Sequence, residues 1–121
     1  AINSSDMFQK LRTVIYHSHD LQAAKEWYTK ITGIAPYFDE PFYVGFDING
    51  FELGIDPDMT DINEGNHTLA YWAVEDIESV IQKMIAAGAL LVQEVTNVGG
   101  PTRVSIVKDP FGNHVGLIEG A

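Results

Sequence analysis

The feature that most constrains what this chain can fold into is an internal duplication. In each half, one β-rich segment is followed by a helical segment and then by three more β-rich segments. The helical segments are 20–33 and 76–88, and each opens on an aspartate suited to an N-cap and ends on a glycine suited to a helix C-terminus. A strand–helix–three-strand unit therefore occurs twice, and its two copies must pack together because neither can bury its own sheet alone.

The repeat predicts a single domain over residues 1–121, made of two modules at about 10–57 and 66–120. A chain of this length can bury one core without a disulfide or a metal. The predicted strands are 11–18, 36–38, 42–48, 51–55, 67–74, 90–95, 102–107 and 114–119. The expected fold class is therefore α+β, with two βαβββ modules.

Composition excludes several classes of protein. The chain has no cysteine, which excludes a disulfide scaffold, a thiolate zinc site and a cysteine nucleophile. Acidic residues give a net charge of −10, and no basic residue lies between Lys30 and Lys83. Nucleic acids and anionic membranes need clustered Lys and Arg, so neither partner is expected. The N-terminal segment AINSSDMFQK has no signal-peptide pattern, and we expect a cytoplasmic protein.

The Asn49-Gly50 dipeptide predicts a β-hairpin and fixes its register, in which Asp47 pairs with Glu52. One face of this hairpin is apolar and is expected against the helices: Val44, Phe46, Ile48, Phe51, Leu53 and Ile55. The other face is the expected wall of a cavity: Tyr43, Gly45, Asp47, Glu52, Gly54 and Asp56. Paired carboxylates repel, so Asp47 either reaches solvent or shares a proton, a cation or water with Glu52.

Taken together, these segments resemble the vicinal oxygen chelate superfamily, which includes glyoxalase I, bleomycin-resistance proteins and extradiol dioxygenases. The resemblance covers residues 11–119 and lies in the two modules, in the helix that opens with DL and closes with WYTKITGI, and in the ending VKDPFGNHVGLIE. It implies an open, eight-stranded, U-shaped sheet whose inner face makes a cavity, with both helices on the outer face.

In metal-dependent members of that superfamily, four inward residues bind a divalent cation. The resemblance places these positions at Thr13, Glu52, Leu69 and Gly116. Only Glu52 among them is a strong ligand, so we expect no metal and no other cofactor. The alternative is a displaced zinc or nickel site formed by His17, Glu52, His67 and His114.

Aromatic and polar side chains complete the predicted cavity. Arg103 is expected to reach it from the seventh strand or to lie at its rim. Carboxylates beside aromatic rings suit a planar or cationic ligand. The predicted ligand-binding residues are Thr13, His17, Tyr43, Asp47, His67, Leu69, Tyr71, Arg103 and His114, and the candidate catalytic residue is Glu52.

Two classes of function stay open. The first is a binding protein resembling the bleomycin-resistance proteins, which hold a small molecule without metal in a groove formed by a dimer. The second is a glyoxalase-type lyase or isomerase in which Glu52 moves a proton, with or without a displaced metal. In both cases we expect a homodimer, and for the first a cationic or aromatic small-molecule ligand.

Overall fold

The computed structural model describes residues 9–60 and 69–120. Within these ranges the first module contains β1 (Thr13–His17), α1 (Leu21–Thr32), β2 (Phe38–Glu40), β3 (Tyr43–Ile48) and β4 (Phe51–Asp56). The second contains β5 (Tyr71–Val74), α2 (Ile77–Ala86), β6 (Leu90–Gly99), β7 (Thr102–Lys108) and β8 (His114–Glu119). The predicted α+β fold of two βαβββ modules is confirmed. Neither helix is long and apolar enough to cross a membrane.

Both helices begin at the predicted aspartates. The Asp20 side chain accepts the N–H of Ala23 at 3.0 Å, and Asp76 accepts that of Ser79 at 3.1 Å. Gly33 ends α1 with a φ of 71°, a left-handed conformation that glycine adopts without steric cost. The second helix is shorter than predicted and ends at Ala86.

The strands form two separately hydrogen-bonded four-stranded sheets, in the orders β1-β4-β3-β2 and β5-β8-β7-β6. The eight predicted strands are therefore present, but they are divided between two sheets rather than joined in one. At the free edge of β1, the side chain of Asn113 takes the position that a neighbouring strand would occupy. Its amide donates to the carbonyl of His17 at 2.9 Å and accepts the N–H of the same residue at 3.0 Å.

The two sheets lie side by side. Backbone groups of an edge strand point within the plane of its sheet, so the bonds between His17 and Asn113 place the second module beside β1. The helix-facing sides of both sheets contribute to one core, which includes Phe46, Val107 and Ile77. Their helix-free sides therefore look to the same side of the molecule, and we call the space in front of them the cleft.

The turn between β7 and β8, with the sequence DPFGN, joins the modules. Asp109 is only 3% exposed and accepts the backbone N–H groups of Phe111 and Asn113 at 2.9 and 2.8 Å. It also accepts the hydroxyl of Tyr28 from α1 at 2.6 Å. Burial, together with the charge of Asp109, raises the pKa of Tyr28, which keeps this hydroxyl a donor. The most characteristic motif of the sequence thus holds the two modules of one chain together.

Candidate functional site

The register of the β3–β4 hairpin is the one predicted from its turn. Asp47 pairs with Glu52, and Asn49 and Gly50 have φ angles of 53° and 91°, as a two-residue turn of this kind requires. Val44, Phe46, Leu53 and Ile55 are buried in the core and Ile48 packs against it, whereas Phe51, beside the turn, is 45% exposed. Glu52 lies on the helix-free side. The predicted division of the hairpin into two faces is confirmed except at Phe51, which the helices leave exposed.

The helix-free side of the first sheet is strongly acidic. Among its described residues are four carboxylates and no Lys or Arg, and we call it the acidic face. Its members are Thr13, Ile15, His17, Phe38, Glu40, Tyr43, Gly45, Asp47, Glu52, Gly54 and Asp56.

Three hydroxyl groups converge on Glu52. Thr13, directly opposite on β1, donates to Oε1 at 2.9 Å, and Tyr43 donates to the same oxygen at 3.1 Å. Tyr37, which precedes β2, donates to Oε2. We call these four residues the Glu52 cluster. Both carboxylate oxygens are therefore held by hydroxyl donors from other parts of the module.

Two glycines make room for the cluster. A Cβ on Gly54 would lie 1.8 Å from the hydroxyl oxygen of Tyr43, and one on Gly45 would lie 2.7 Å from Oε2 of Glu52. Any side chain at either position would displace a member of the cluster. The sequence places both glycines on this wall but does not identify Tyr37 as a donor. Tyr37 falls in the predicted strand 36–38, whose register no turn sets, and the observed strand begins only at Phe38.

The hydrogen bonds determine the charge state of the cluster. Burial alone would raise the pKa of the Glu52 carboxyl, but the three hydroxyl donors and the nearby charge of Arg12 outweigh it, and its pKa lies below the usual value. Burial and the bond to Glu52 raise the pKa of Tyr43 to about 12. The hydrogen bond to Glu52 also raises the pKa of Tyr37. At neutral pH the carboxylate is ionised and both tyrosines are protonated.

We expect Glu52→Gln to change how stability depends on pH. Because the pKa of Glu52 is lowered by folding, its stabilising contribution is present above the unfolded pKa and is lost as the pH falls through the folded one. Urea unfolding midpoints from pH 7 down to pH 3 should therefore show wild type and variant converging as the solution becomes more acidic. Thr13→Val, which removes one donor, should give an intermediate profile. A difference between wild type and Glu52→Gln that stays constant over this range would contradict the prediction.

Asp47 reaches solvent at the hairpin turn. It is exposed, and its side chain accepts the N–H of Gly50 at 2.8 Å within the turn. Of the two arrangements that the sequence left open, the solvent-exposed one is observed. Its charge still adds to the negative potential of the acidic face.

The predicted histidines are not gathered around Glu52. His17 lies four residues along β1 from Thr13, about 13 Å along the strand, and its Nδ1 is 3.0 Å from the carbonyl oxygen of Asp58. His114 opens β8 in the other sheet, where it pairs with Lys108. His67 lies outside the described residues. The displaced metal set is therefore not assembled among the residues that the structure describes.

Arg103 does not reach the cleft, and this predicted placement was wrong. It lies on the helix-facing side of β7, the same side as the buried Ser105. Its guanidinium donates to Glu78 and to Glu119, each at 2.6 Å, at the N-terminal end of α2. With Asp76, these two carboxylates form the acidic cluster found within residues 9–60 and 69–120, and Arg103 offsets one of its three charges.

Equivalent hydrogen bonds identify the position in the second module that matches Glu52. The N–H of Glu52 donates to the carbonyl of Arg12 at 2.8 Å, and the N–H of Gly116 donates to that of Ala70 at 3.0 Å. Gly116 therefore corresponds to Glu52, as predicted.

The strand neighbour of Gly116 is Tyr71 rather than the predicted Leu69. Leu69 precedes β5. The first residue of β5 lies six positions before the first residue of α2, whereas the first residue of β1 lies eight positions before that of α1. A Cβ on Gly116 would lie 2.7 Å from Cδ1 of Tyr71, so the tyrosine ring fills the space beside the glycine.

The family model for the Glyoxalase/Bleomycin resistance protein/Dioxygenase superfamily matches residues 10–117. The chain belongs to this superfamily. It is 31% identical over 107 residues to the putative glyoxylase CFP32 of Mycobacterium bovis and of Mycobacterium tuberculosis, a match that covers 81% of this chain and 41% of theirs. The chain thus spans less than half the length of these curated relatives.

Solved structures with low sequence identity show the same glyoxalase/bleomycin-resistance fold. A family enzyme from Burkholderia phytofirmans PsJN matches with a TM-score of 0.78 at 17% identity, covering 93% of this chain and 100% of the other. TioX from Micromonospora sp. ML1 matches with a TM-score of 0.68 at 20% identity, with the same coverage. These likenesses concern the fold.

The residues at the superfamily's metal positions do not fit a divalent cation. Glu52 is the strong ligand among those described, and both of its oxygens already accept hydroxyl groups. The hydroxyl of Thr13 is one of those donors, Gly116 has no side chain, and neither Leu69 nor Tyr71 offers a carboxylate or an imidazole. A zinc site needs three or four nitrogen, oxygen or sulfur ligands. The chemistry that these positions offer is therefore that of one carboxylate and its hydroxyl donors.

Proposed function

We propose that this superfamily member binds a small molecule in its open cleft, without a metal, and that the Glu52 cluster is the polar contact. The observation that carries this proposal is a carboxylate fixed on both oxygens by three hydroxyl donors. An ionised carboxylate offers about four acceptor sites, and the cluster uses three of them. The charge and one acceptor site are left for a ligand.

The surroundings of Glu52 favour a cationic ligand. Four carboxylates share the acidic face, against the positive charge of Arg12 that acts on Glu52 from beside it. Aromatic rings flank it, since Phe38 lies 6.0 Å from Phe42 and 6.1 Å from Tyr43 between ring centroids, and Tyr37 is 61% exposed. Aromatic ring faces and carboxylates both attract cations.

The alternative, a lyase or isomerase with Glu52 as proton shuttle, is less well supported. A general base works best with a pKa near the operating pH, whereas the pKa of Glu52 lies below its usual value. Three donors would also have to be released before the carboxylate took a proton. The geometry suits a fixed anion better than a proton carrier.

We expect the double variant Asp47→Asn, Glu52→Gln to bind benzyltrimethylammonium about tenfold more weakly than wild type, because two charges at exposed positions are lost. Calorimetry at low salt measures the change, and the affinity of wild type should fall as salt is added. The matched control is Glu26→Gln, Glu94→Gln, which removes two exposed carboxylates outside the acidic face. Equal binding by the two double variants, or stronger binding of benzoate than of the cation, would contradict the proposal.

We also propose that the chain is a homodimer. Support comes from β6, an outer strand with one edge that no described strand pairs with, and on which Leu90, Leu91 and Val92 are exposed. Exposed apolar side chains on a free strand edge favour association with another chain. Light scattering at micromolar concentration should give twice the chain mass of 13.4 kDa. A mass of one chain would contradict this.

A further inference from the structure

The helix-free side of the second sheet differs in chemistry from that of the first. Its central positions carry no charge, and we call it the apolar face. Lys108 and His114 lie beyond it, at the turn between β7 and β8. Its members on β5, β7 and β8 are Tyr71, Ala73, Val104, Ile106, Gly116 and Ile118. On the outer strand β6, the uncharged polar residues Gln93 and Thr96 border this face.

The contrast occurs at equivalent positions of the duplicated module. Where the first module has Glu52 paired with the hydroxyl of Thr13, the second has Gly116 paired with Tyr71. The ring of Tyr71 is 44% exposed. One wall of the cleft therefore offers charge and hydrogen bonds, and the other offers hydrocarbon and an aromatic ring.

Strand β7 carries apolar residues on both sides. It turns Val107, with Arg103 and Ser105, toward the helices, and it turns Val104 and Ile106 away from them. Ser105 is fully buried and donates to the carbonyl of Gln93 at 2.6 Å, which satisfies its hydroxyl. A strand with one side in water normally places its apolar residues in the core. Val104 and Ile106 depart from that rule and make the helix-free side of β7 apolar, with Val104 only 8% exposed.

We infer that the ligand is an amphipathic cation, with its charged end at the Glu52 cluster and a hydrocarbon part on the apolar face. This inference rests on the proposed function and adds the second half of the ligand. The two faces look to the same side of the molecule. Strand β1, which carries Thr13 of the Glu52 cluster, lies beside the second module, where the indole of Trp72 on β5 donates to the hydroxyl of Tyr16 at 3.0 Å. A second copy of the chain is a poorer occupant of the cleft, because its net charge of −10 would be brought against the acidic face.

A series of alkyltrimethylammonium ions tests the inference: tetramethyl, butyltrimethyl, hexyltrimethyl and octyltrimethyl, each kept below its micelle concentration. Affinity measured by calorimetry should rise about fourfold for each methylene that enters the cleft. Ile118→Thr and Tyr71→Gln, two changes at separate positions of the apolar face, should each flatten this rise. The matched control is Val98→Thr, which alters an exposed apolar residue on β6 away from the cleft and should leave the rise unchanged.

The outcomes separate the two proposals. If tetramethylammonium binds and the change Asp47→Asn, Glu52→Gln weakens it, but longer chains bind no better, the inference is overturned and the proposed function stands. If affinity rises with chain length but Val98→Thr flattens it as much as Ile118→Thr does, the inference is also overturned. If the rise depends on Ile118 and not on Glu52, the apolar contact stands and the proposed polar contact is overturned. If no ammonium ion binds, both are overturned.

Discussion

Asp109→Ala is expected to lower the free energy of unfolding by about 3 to 5 kcal/mol, a larger effect than that of any other substitution proposed for this chain. The carboxylate is buried and accepts the N–H groups of Phe111 and Asn113, the side-chain amide of Asn113 and the hydroxyl of Tyr28. Alanine would leave these donors without a partner inside the protein, and each unsatisfied buried donor costs about 1 to 3 kcal/mol. Urea unfolding at pH 7 measures the loss.

Two further variants make this prediction specific. Asp109→Asn keeps the shape and one acceptor oxygen, so it should lose less stability than Asp109→Ala. Asp58→Ala removes an exposed carboxylate that also accepts a backbone N–H in a turn, and its unfolding midpoint should stay close to that of wild type. An Asp109→Ala midpoint equal to that of Asp58→Ala would show that the DPFGN turn does not hold the modules together.

Gly116→Glu, which restores a carboxylate at a metal position of the superfamily, is expected to destabilise the protein by about 1 to 3 kcal/mol without creating a metal site. A Cβ at this position would lie 2.6 Å from the carbonyl oxygen of Ala70 and 2.7 Å from the ring of Tyr71. The ring can rotate away, whereas the backbone carbonyl cannot. Urea unfolding and zinc binding by equilibrium dialysis measure the two parts of the prediction.

Gly45→Ala is the matched control for this steric argument. Its Cβ would meet the side chains of Glu52 and Tyr37, which are free to move, so it should cost less stability than Gly116→Glu while weakening cation binding at the Glu52 cluster. The double variant Tyr71→Ala, Gly116→Glu should recover only part of the loss. Stoichiometric zinc in Gly116→Glu alone would contradict the steric role assigned to this position.

Features fixed by local sequence could be predicted. Asp20 and Gly33 delimit α1 through bonds to residues three or four positions away, and Asn49-Gly50 sets a register that begins at its own turn. The face that carries Glu52 followed from that register. Such interactions depend on a few neighbouring residues, so one sequence contains the information needed to predict them.

Features that depend on packing between distant segments could not be predicted. The alternation of Arg103, Val104, Ser105 and Ile106 suggests that the valine and isoleucine face the helices, but Arg103 and Ser105 face them instead. Ser105 finds a carbonyl partner on β6, and Arg103 pairs with Glu78 on α2 and Glu119 on β8, while Val104 is buried on the opposite side of the sheet. Tyr37 reaches Glu52 across 15 positions of the chain. The partners of Ser105, Arg103 and Tyr37 cannot be identified from the spacing of residues alone.

The amide of Asn113 at the edge of β1 has a consequence for how two chains can combine. The same pair of bonds, together with the bond from Tyr28 to Asp109, could form between the first module of one molecule and the second module of another, with no bond gained or lost. Local contacts then favour neither the closed monomer nor the exchanged dimer. The ratio of the two depends on the effective concentration of one module around the other within a chain, compared with the concentration of chains in solution. Dilution should therefore preserve self-closed molecules, while crowding during synthesis or refolding should promote exchange of modules between neighbours.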